Sequence, residues 1–320
     1  MGWGVAVAVQ GAHNGEVRIA YETFGTPGGE PLLLIMGLDF QMVYWPDGLC
    51  EALAERGFHV ARFDNRDAGL STHFSSPREE NPFRVLFRGS AHPAYTASDM
   101  VDDGLAVMDA LGWRSAHVCG ASLGGGLALA TAVLHPDRVR TVTSLMGGVP
   151  GGKLALLRYV KFGVFPRFAR IKHPATDEGA IRTLVDMTRL LSSPHHPFDE
   201  RWARSVAEIS HARSPRDPRT TQRQTAAGLA LGAIAHRLGE ITAPTLIVNG
   251  ADDPLVRPSA GAALARRIPG ARSMVCPRMG HLLPEHVWGT VADAMATRAG
   301  LPAGWVAPDS GSATAGPSAG

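Results

Sequence analysis

A chain of 320 residues, 45% of them hydrophobic and 19% charged, is long enough for one large domain with a substantial core. Its formal net charge of +2 gives the molecule no overall electrostatic footprint for nucleic acid. Three cysteines (Cys50, Cys119 and Cys276) at long spacings, with no C-x-x-C pair, signal neither a disulfide framework nor a zinc site and read as reduced thiols of a cytoplasmic protein.

Residues 4–9 and 17–22 alternate like strands, and the Asn14-Gly15 pair between them predicts a hairpin. The opening "MGWGVAVAVQ" has no basic segment ahead of its apolar residues, so it reads as a strand rather than a signal peptide. "PLLLIMG" (31–37) is a continuous apolar run, as expected of a strand buried on both faces. A short helix is expected over 49–56, with Leu49 and Leu53 one turn apart and Gly57 as its stop. "FHVARFD" (58–64) is the next strand.

Another helix is expected over 98–112, capped by Ser98, lined by Val101, Leu105 and Met108, and closed by Gly112. A strand at 117–119, a helix over 123–134 and a strand over 139–146 continue the alternation. Residues 115–136 carry no Asp, Glu, Lys or Arg, but their central glycines and serine mark a strand, turn and helix rather than a membrane span.

Between residues 151 and 240 the pattern changes to helical patches without a buried strand. Fifteen Lys/Arg stand against eight Asp/Glu there, a local excess of seven positive charges. These arginines read as solubilising an amphipathic layer, with attraction of an acidic substrate as the other option. Strands at 243–250 and 271–276, with a helix over 260–268 between them, then resume. From about residue 300 the chain is rich in Gly, Ala, Ser and Pro, as in a disordered tail. Strand–helix alternation on this scale predicts an α/β fold, a doubly wound, mostly parallel sheet. Residues 1–150 and 241–299 would form its core, and 151–240 an inserted helical layer.

Gly120-Ala121-Ser122-Leu123-Gly124 matches G-x-S-x-G between a predicted strand and a predicted helix, the context of a nucleophile elbow. A plain glycine turn is the bland alternative. A phosphate cradle is weaker, because no Lys-Ser/Thr follows the glycines. A serine needs a base, and the base an orienting acid. Asp253 in "GADDPLV" directly follows a late strand and precedes Pro254, which favours it over Asp252, the latter then being a solvated loop residue. The other possible acid loop, "GGVPGG" after Met146, has no carboxylate, and Asp177 is the next one downstream. His281 in "CPRMGHLLPEH" sits after the last strand, whereas His286 follows Pro284 and falls inside the final helix. Backbone donors for an oxyanion are expected at Leu123 and at Leu38.

"LLLIMGLDFQMVYWP", "FDNRDAGLST", "HVCGASLGGG", "GADDPLV" and "MGHLLPEHVW" together resemble the α/β-hydrolase superfamily, and within it the aclacinomycin methylesterase-like branch. The resemblance spans about residues 15–296 and includes "HPFDERWARS". It implies Ser122 as nucleophile, His281 as base, Asp253 as the acid, and a helical cap at 151–240 folded over the site. Leu38 departs from the second glycine that anthracycline-type methylesterases tend to carry, which makes the nearby pocket wall bulkier.

His195, His196, Asp199 and Glu200 can be drawn as a metal cluster, but a polar loop is the better reading, and no metal or cofactor is expected. Arg66 and Asp67 read as stabilising a loop near the site rim. The expected activity is hydrolysis of a small-molecule carboxylic ester through an acyl-enzyme, with a polyketide-type methyl ester as the specific candidate and neither nucleic acid nor membrane as partner. C–C bond hydrolysis, cofactor-free perhydrolysis and a non-catalytic ligand-binding receptor remain alternatives. Oligomeric state is not legible.

Overall fold

In the computed structural model, which describes residues 8–75, 93–147 and 153–301, eight strands form one sheet in the order β1-β2-β4-β3-β5-β6-β7-β8. β1 (Gln10–Asn14) and β2 (Val17–Phe24) are the antiparallel hairpin, closed by the Asn14–Val17 pair with Gly15 at φ +57°. Register counted back from that turn pairs Gln10 with Tyr21, so the first strand covers 10–14 and not the expected 4–9. Residues 8 and 9 are irregular, and 4–7 lie outside the described residues.

β3 (Glu30–Ile35), α1 (Asp47–Glu55), β4 (Phe58–Phe63), α2 (Ala97–Ala110), β5 (Ala116–Ala121), α3 (Leu123–Leu134) and β6 (Val139–Leu145) follow the expected alternation. β2 pairs antiparallel with β4, and the pairings from β4 onward are parallel. Residues 115–136 resolve into β5, a turn and α3, and among the described residues no helix is long and apolar enough to cross a membrane.

The cap of α2 is Thr96 rather than Ser98. Thr96 Oγ1 accepts from Asp99 N at 3.2 Å while Asp99 Oδ2 accepts from Thr96 N at 2.7 Å, a reciprocal box that needs an acid three residues on. Ser98 has Val101 at that offset and cannot make it.

The sheet is buried on both faces. Leu33 and Ile35 join α2 and α3 in one apolar cluster, and Leu32 and Leu34 join α1 and the last helix in the other. That alternation explains the unbroken apolar run of β3.

After β6 come α4 (Lys153–Tyr159), α5 (Phe165–Arg170), α6 (Asp177–Leu191), α7 (Glu200–Arg213) and α8 (Pro218–Leu229). α6 and α7 pack around Leu184, Val185, Ala203 and Ala207, a small core of their own. The final turn of this insertion, Ala235–Glu240, buries Ala235 and Leu238 against the sheet's α3 side. β7 (Thr245–Gly250), α9 (Ser259–Ala265), β8 (Arg272–Cys276) and α10 (Glu285–Ala299) complete the described fold. α9 ends three residues before the expected 268. The expected tail lies outside the described residues beyond Leu301.

Chain order places the site. β4 lies on one side of β3 and β5 on the other, so the connections after β3 and β5 leave in opposite directions. Such a reversal opens a crevice beyond the carboxyl ends of the strands. Leu38 follows β3 there and Ser122 follows β5.

Candidate active site

Ser122 sits between β5 and α3 at φ +53°, ψ −116°, a backbone conformation that L residues rarely adopt. Its N–H donates to Leu145 O of β6 at 2.9 Å, and its carbonyl accepts from Gly125 and Gly126 of α3. A Cβ on Gly120 would lie 2.0 Å from Gly124 O, and one on Gly124 would lie 2.1 Å from Ile35 O. Both positions therefore exclude any side chain, and the elbow is jammed against the end of β3 as the G-x-S-x-G spacing requires.

Asp253 follows β7 and is fully buried. Its Oδ1 accepts from the Leu255 and Val256 amides at 2.7 Å each, which leaves Oδ2 facing His281 Nδ1 at 2.7 Å. His281 follows β8, is 6% exposed, and has Nε2 3.0 Å from Ser122 Oγ. In the Nδ1-protonated tautomer the ring donates to Asp253 and accepts from the serine hydroxyl. The structure thus brings together the three residues chosen from three separate loops.

Leu38 and Ser122 line the same cavity, and Leu123 is the first residue of α3. Neither the Leu38 nor the Leu123 amide donates to another described residue. The cavity has a volume of about 400 Å³ and a mainly apolar wall. Met36, Leu38 and Phe40 come from the core, and Phe165, Phe168, Ile171, Met187 and Leu191 from the insertion that roofs it. Asp39, Arg216 and Thr221 make a polar patch in that wall. Burial pushes the Asp39 carboxyl above its ordinary range, and the Arg216 guanidinium partly offsets this.

The insertion also grips the loops that carry Asp253 and His281. Lys161 Nζ donates to the Asp253 carbonyl at 2.6 Å, and residues 159–161 pair with 255–257 through Lys161 N to Leu255 O and Arg257 N to Tyr159 O, each 2.8 Å. Ser193 Oγ donates to Asp252 Oδ2 at 2.6 Å, and His281 N donates to Leu191 O at 2.7 Å. Asp252 is partly exposed, as a loop residue, but it is also bonded. It ties Ser193 and His195 (3.1 Å) to the acid loop, and its carboxyl is held below the usual range first by the Ser193 hydroxyl.

The remaining polar candidates have partners away from Ser122. His195 pairs with Asp252, the His196 ring lies 4.1 Å from that of His286, Asp199 caps α7 through Trp202 N, and Glu200 pairs with Arg189. Among the described residues no group of three or more His, Cys, Asp or Glu side chains is placed to hold a metal ion. His286 is in α10, with Nε2 3.3 Å from Pro277 O.

Arg66 and Asp67, expected to stabilise a loop, are buried, and Asp67 bonds within that loop through Thr72 O and Phe74 N. Arg66 pairs with Asp103 at 2.6 Å, and Asp67 pairs with Arg223 of α8 and accepts from Tyr95 Oη at 3.0 Å. Arg213 pairs with Glu22 and Arg216 with Asp39, both at 2.5 Å. These three insertion arginines join the insertion to the core, a role distinct from the solubilising and substrate-attracting ones expected. Lys161, Ser193, Asp39 and Arg216 had no sequence signal, because each acts through a partner distant in the chain.

A family model described as the alpha/beta hydrolase fold matches residues 30–285. Rhodomycin D methylesterase DauP of Streptomyces sp. (strain C5) is 32% identical over 88% of this chain and 94% of its own length. Rhodomycin D methylesterase DnrP of Streptomyces peucetius is 31% identical over 88% and 95%. A solved hydrolase structure from Pseudomonas aeruginosa superposes with a TM-score of 0.66 at 22% identity, covering 93% of this chain and 99% of that one. With the matched model spanning most of the sequence, the chain belongs to the α/β-hydrolase fold family.

Proposed function

We propose that the protein hydrolyses a small-molecule carboxylic ester through an acyl-enzyme. The observation that carries this reading is the hydrogen-bonded run Asp253–His281–Ser122 on the wall of an apolar cavity. Ser122 Oγ attacks the ester carbon while His281 Nε2 takes its proton. Asp253, acceptor to the Nδ1–H, holds the imidazole in place and stabilises the imidazolium that forms. The Leu38 and Leu123 amides receive the negative oxygen of the tetrahedral adduct. Collapse breaks the bond to the alkoxy oxygen, which takes the proton from His281 and leaves as alcohol. Water then repeats the sequence on the acyl-enzyme and frees Ser122 and the acid.

No cofactor enters this chemistry. The preferred substrate class is a methyl ester of a polyketide-type acid. Similarity to two methylesterases over nearly their whole length supports that choice, as does a mainly apolar cavity of about 400 Å³ beside Ser122. In this reading residues 151–240 act as a cap over a core formed by 1–150 and 241–299. Three buried free thiols support a reducing, cytoplasmic setting.

Ser122→Ala should lower kcat by roughly 10⁴–10⁶-fold and abolish labelling by a fluorophosphonate probe. Near-normal ester hydrolysis by that variant overturns the assignment.

A further inference from the structure

We propose that Asp39, Arg216 and Thr221 form a charge-balanced polar subsite in the acyl cavity, selecting an acyl group that bears a hydroxyl or ketone over one that bears a second carboxylate. The proposal rests on the ester-hydrolase reading above and specifies its substrate.

Asp39 has φ +66°, in the left-handed region where glycine is at ease and most other residues are strained. The turn is nevertheless held in place, since Asp39 N donates to Gln224 Oε1 of α8 at 2.8 Å. It delivers the carboxylate to the insertion. Asp39 Oδ2 accepts from Arg216 Nε at 2.5 Å and from Thr221 Oγ1 at 2.8 Å, and Arg216 Nη2 donates to Thr221 Oγ1 at 3.0 Å. All three residues line the cavity that contains Ser122 and His281.

Two functional groups are left over. Arg216 Nη1 and Asp39 Oδ1 bond no other described residue, while the pair as a whole carries no net charge. A donor and an acceptor side by side in a mainly apolar wall match a hydroxyl or ketone on an otherwise apolar acyl group. A substrate lacking that oxygen leaves them without partners once water is excluded, the situation in which discrimination is strongest. A second carboxylate meets Asp39 as well as Arg216 and surrenders its hydration, so the balanced pair disfavours it. The subsite belongs to the acyl side because Asp39 directly follows Leu38, whose amide is the proposed oxyanion donor.

The test is kcat/KM for methyl 2-naphthoate, its ring-hydroxylated isomers, and the monomethyl ester of a naphthalenedicarboxylic acid. The wild-type protein should prefer at least one hydroxy isomer over the parent by roughly tenfold and should handle the dicarboxylate worse than the parent. In Arg216→Leu the hydroxyl preference should fall to within about twofold. Asp39→Asn, an amide that tolerates positive φ, leaves Arg216 without its counter-charge. It should shift selection toward the carboxylated ester by roughly tenfold relative to wild type. Wild-type indifference to every hydroxy isomer, or both variants keeping the wild-type order, overturns the subsite. Fluorophosphonate labelling of Ser122 separates the two levels. Unlabelled wild-type protein removes the hydrolase reading and this one with it, and labelled protein without the selectivity removes the subsite alone.

Discussion

Lys161→Met is the perturbation that most directly asks whether the insertion takes part in positioning the acid. Lys161 Nζ donates to the Asp253 carbonyl at 2.6 Å, and the residue is not part of the cavity wall. A hydrogen bond from a charged donor contributes about 1.5–3 kcal/mol. Two restraints survive the substitution: the pairing of 159–161 with 255–257, and the two amides that hold Asp253 Oδ1. The loss should therefore fall just under that range, at about 1.4 kcal/mol or tenfold in rate. Steady-state kinetics on a soluble ester should show kcat reduced roughly tenfold with KM within about twofold. The rate of Ser122 phosphonylation should fall in parallel, and Lys161→Arg should restore part of both. An unchanged kcat, or a raised KM with kcat intact, would refute the reasoning.

Two stability predictions follow from buried charge. His117, 5% exposed and 2.8 Å from Thr141 Oγ1, has its pKa lowered to about 4, first by burial and then by Arg140. The neutral ring is thus the folded form, and stability present above the ordinary histidine value of about 6.5 is lost as pH falls toward 4, by about 3 kcal/mol in all. Denaturant titrations across that window should show the slope, and His117→Gln should flatten it. A slope unchanged in that variant assigns the effect elsewhere. Arg223→Met strands the buried Asp67 carboxylate and should cost about 3–5 kcal/mol in unfolding free energy, part of it recovered in the Arg223→Met/Asp67→Asn pair, whose neutral amide tolerates the positive φ and still accepts from Phe74 N. Equal losses in the single and double variants would show that the ion pair is not the origin.

The elbow and its partners were readable from sequence because their signals are local. Ser122 lies between an apolar run and a glycine-flanked helix start, and Asp253 and His281 each fall within a few residues of a strand end. Even the absence of a carboxylate in the loop after Met146 was informative. What the sequence concealed depends on distant partners. Arg213, Arg216 and Arg223 looked like surface charge because Glu22, Asp39 and Asp67 lie 191, 177 and 156 residues away. The bond of Asp252 was hidden because Ser193 is 59 residues upstream. The Ser98 cap failed for a different reason. Two hydroxyl residues stood two positions apart, and the choice turned on which of them had an acid three residues on.

The grip of the insertion on the loops after β7 and β8 makes the insertion part of the frame that holds the site, and not a separate cover. The insertion also enters both apolar clusters of the sheet, with Ala227, Ala235 and Leu238 in one and Val206 in the other, so the core and the insertion should order together. Asp253 and His281 take further backbone restraints from Lys161 and Leu191, so the geometry of their loops is tied to the docking of the insertion. Reaction at Ser122 should therefore return together with native-like circular dichroism during refolding, and a native-like species that does not react would separate the two. Variation within the insertion can reshape the cavity where it spares the strip at 159–161, the turn at 191–193 and the arginines at 213, 216 and 223 that pair with the core.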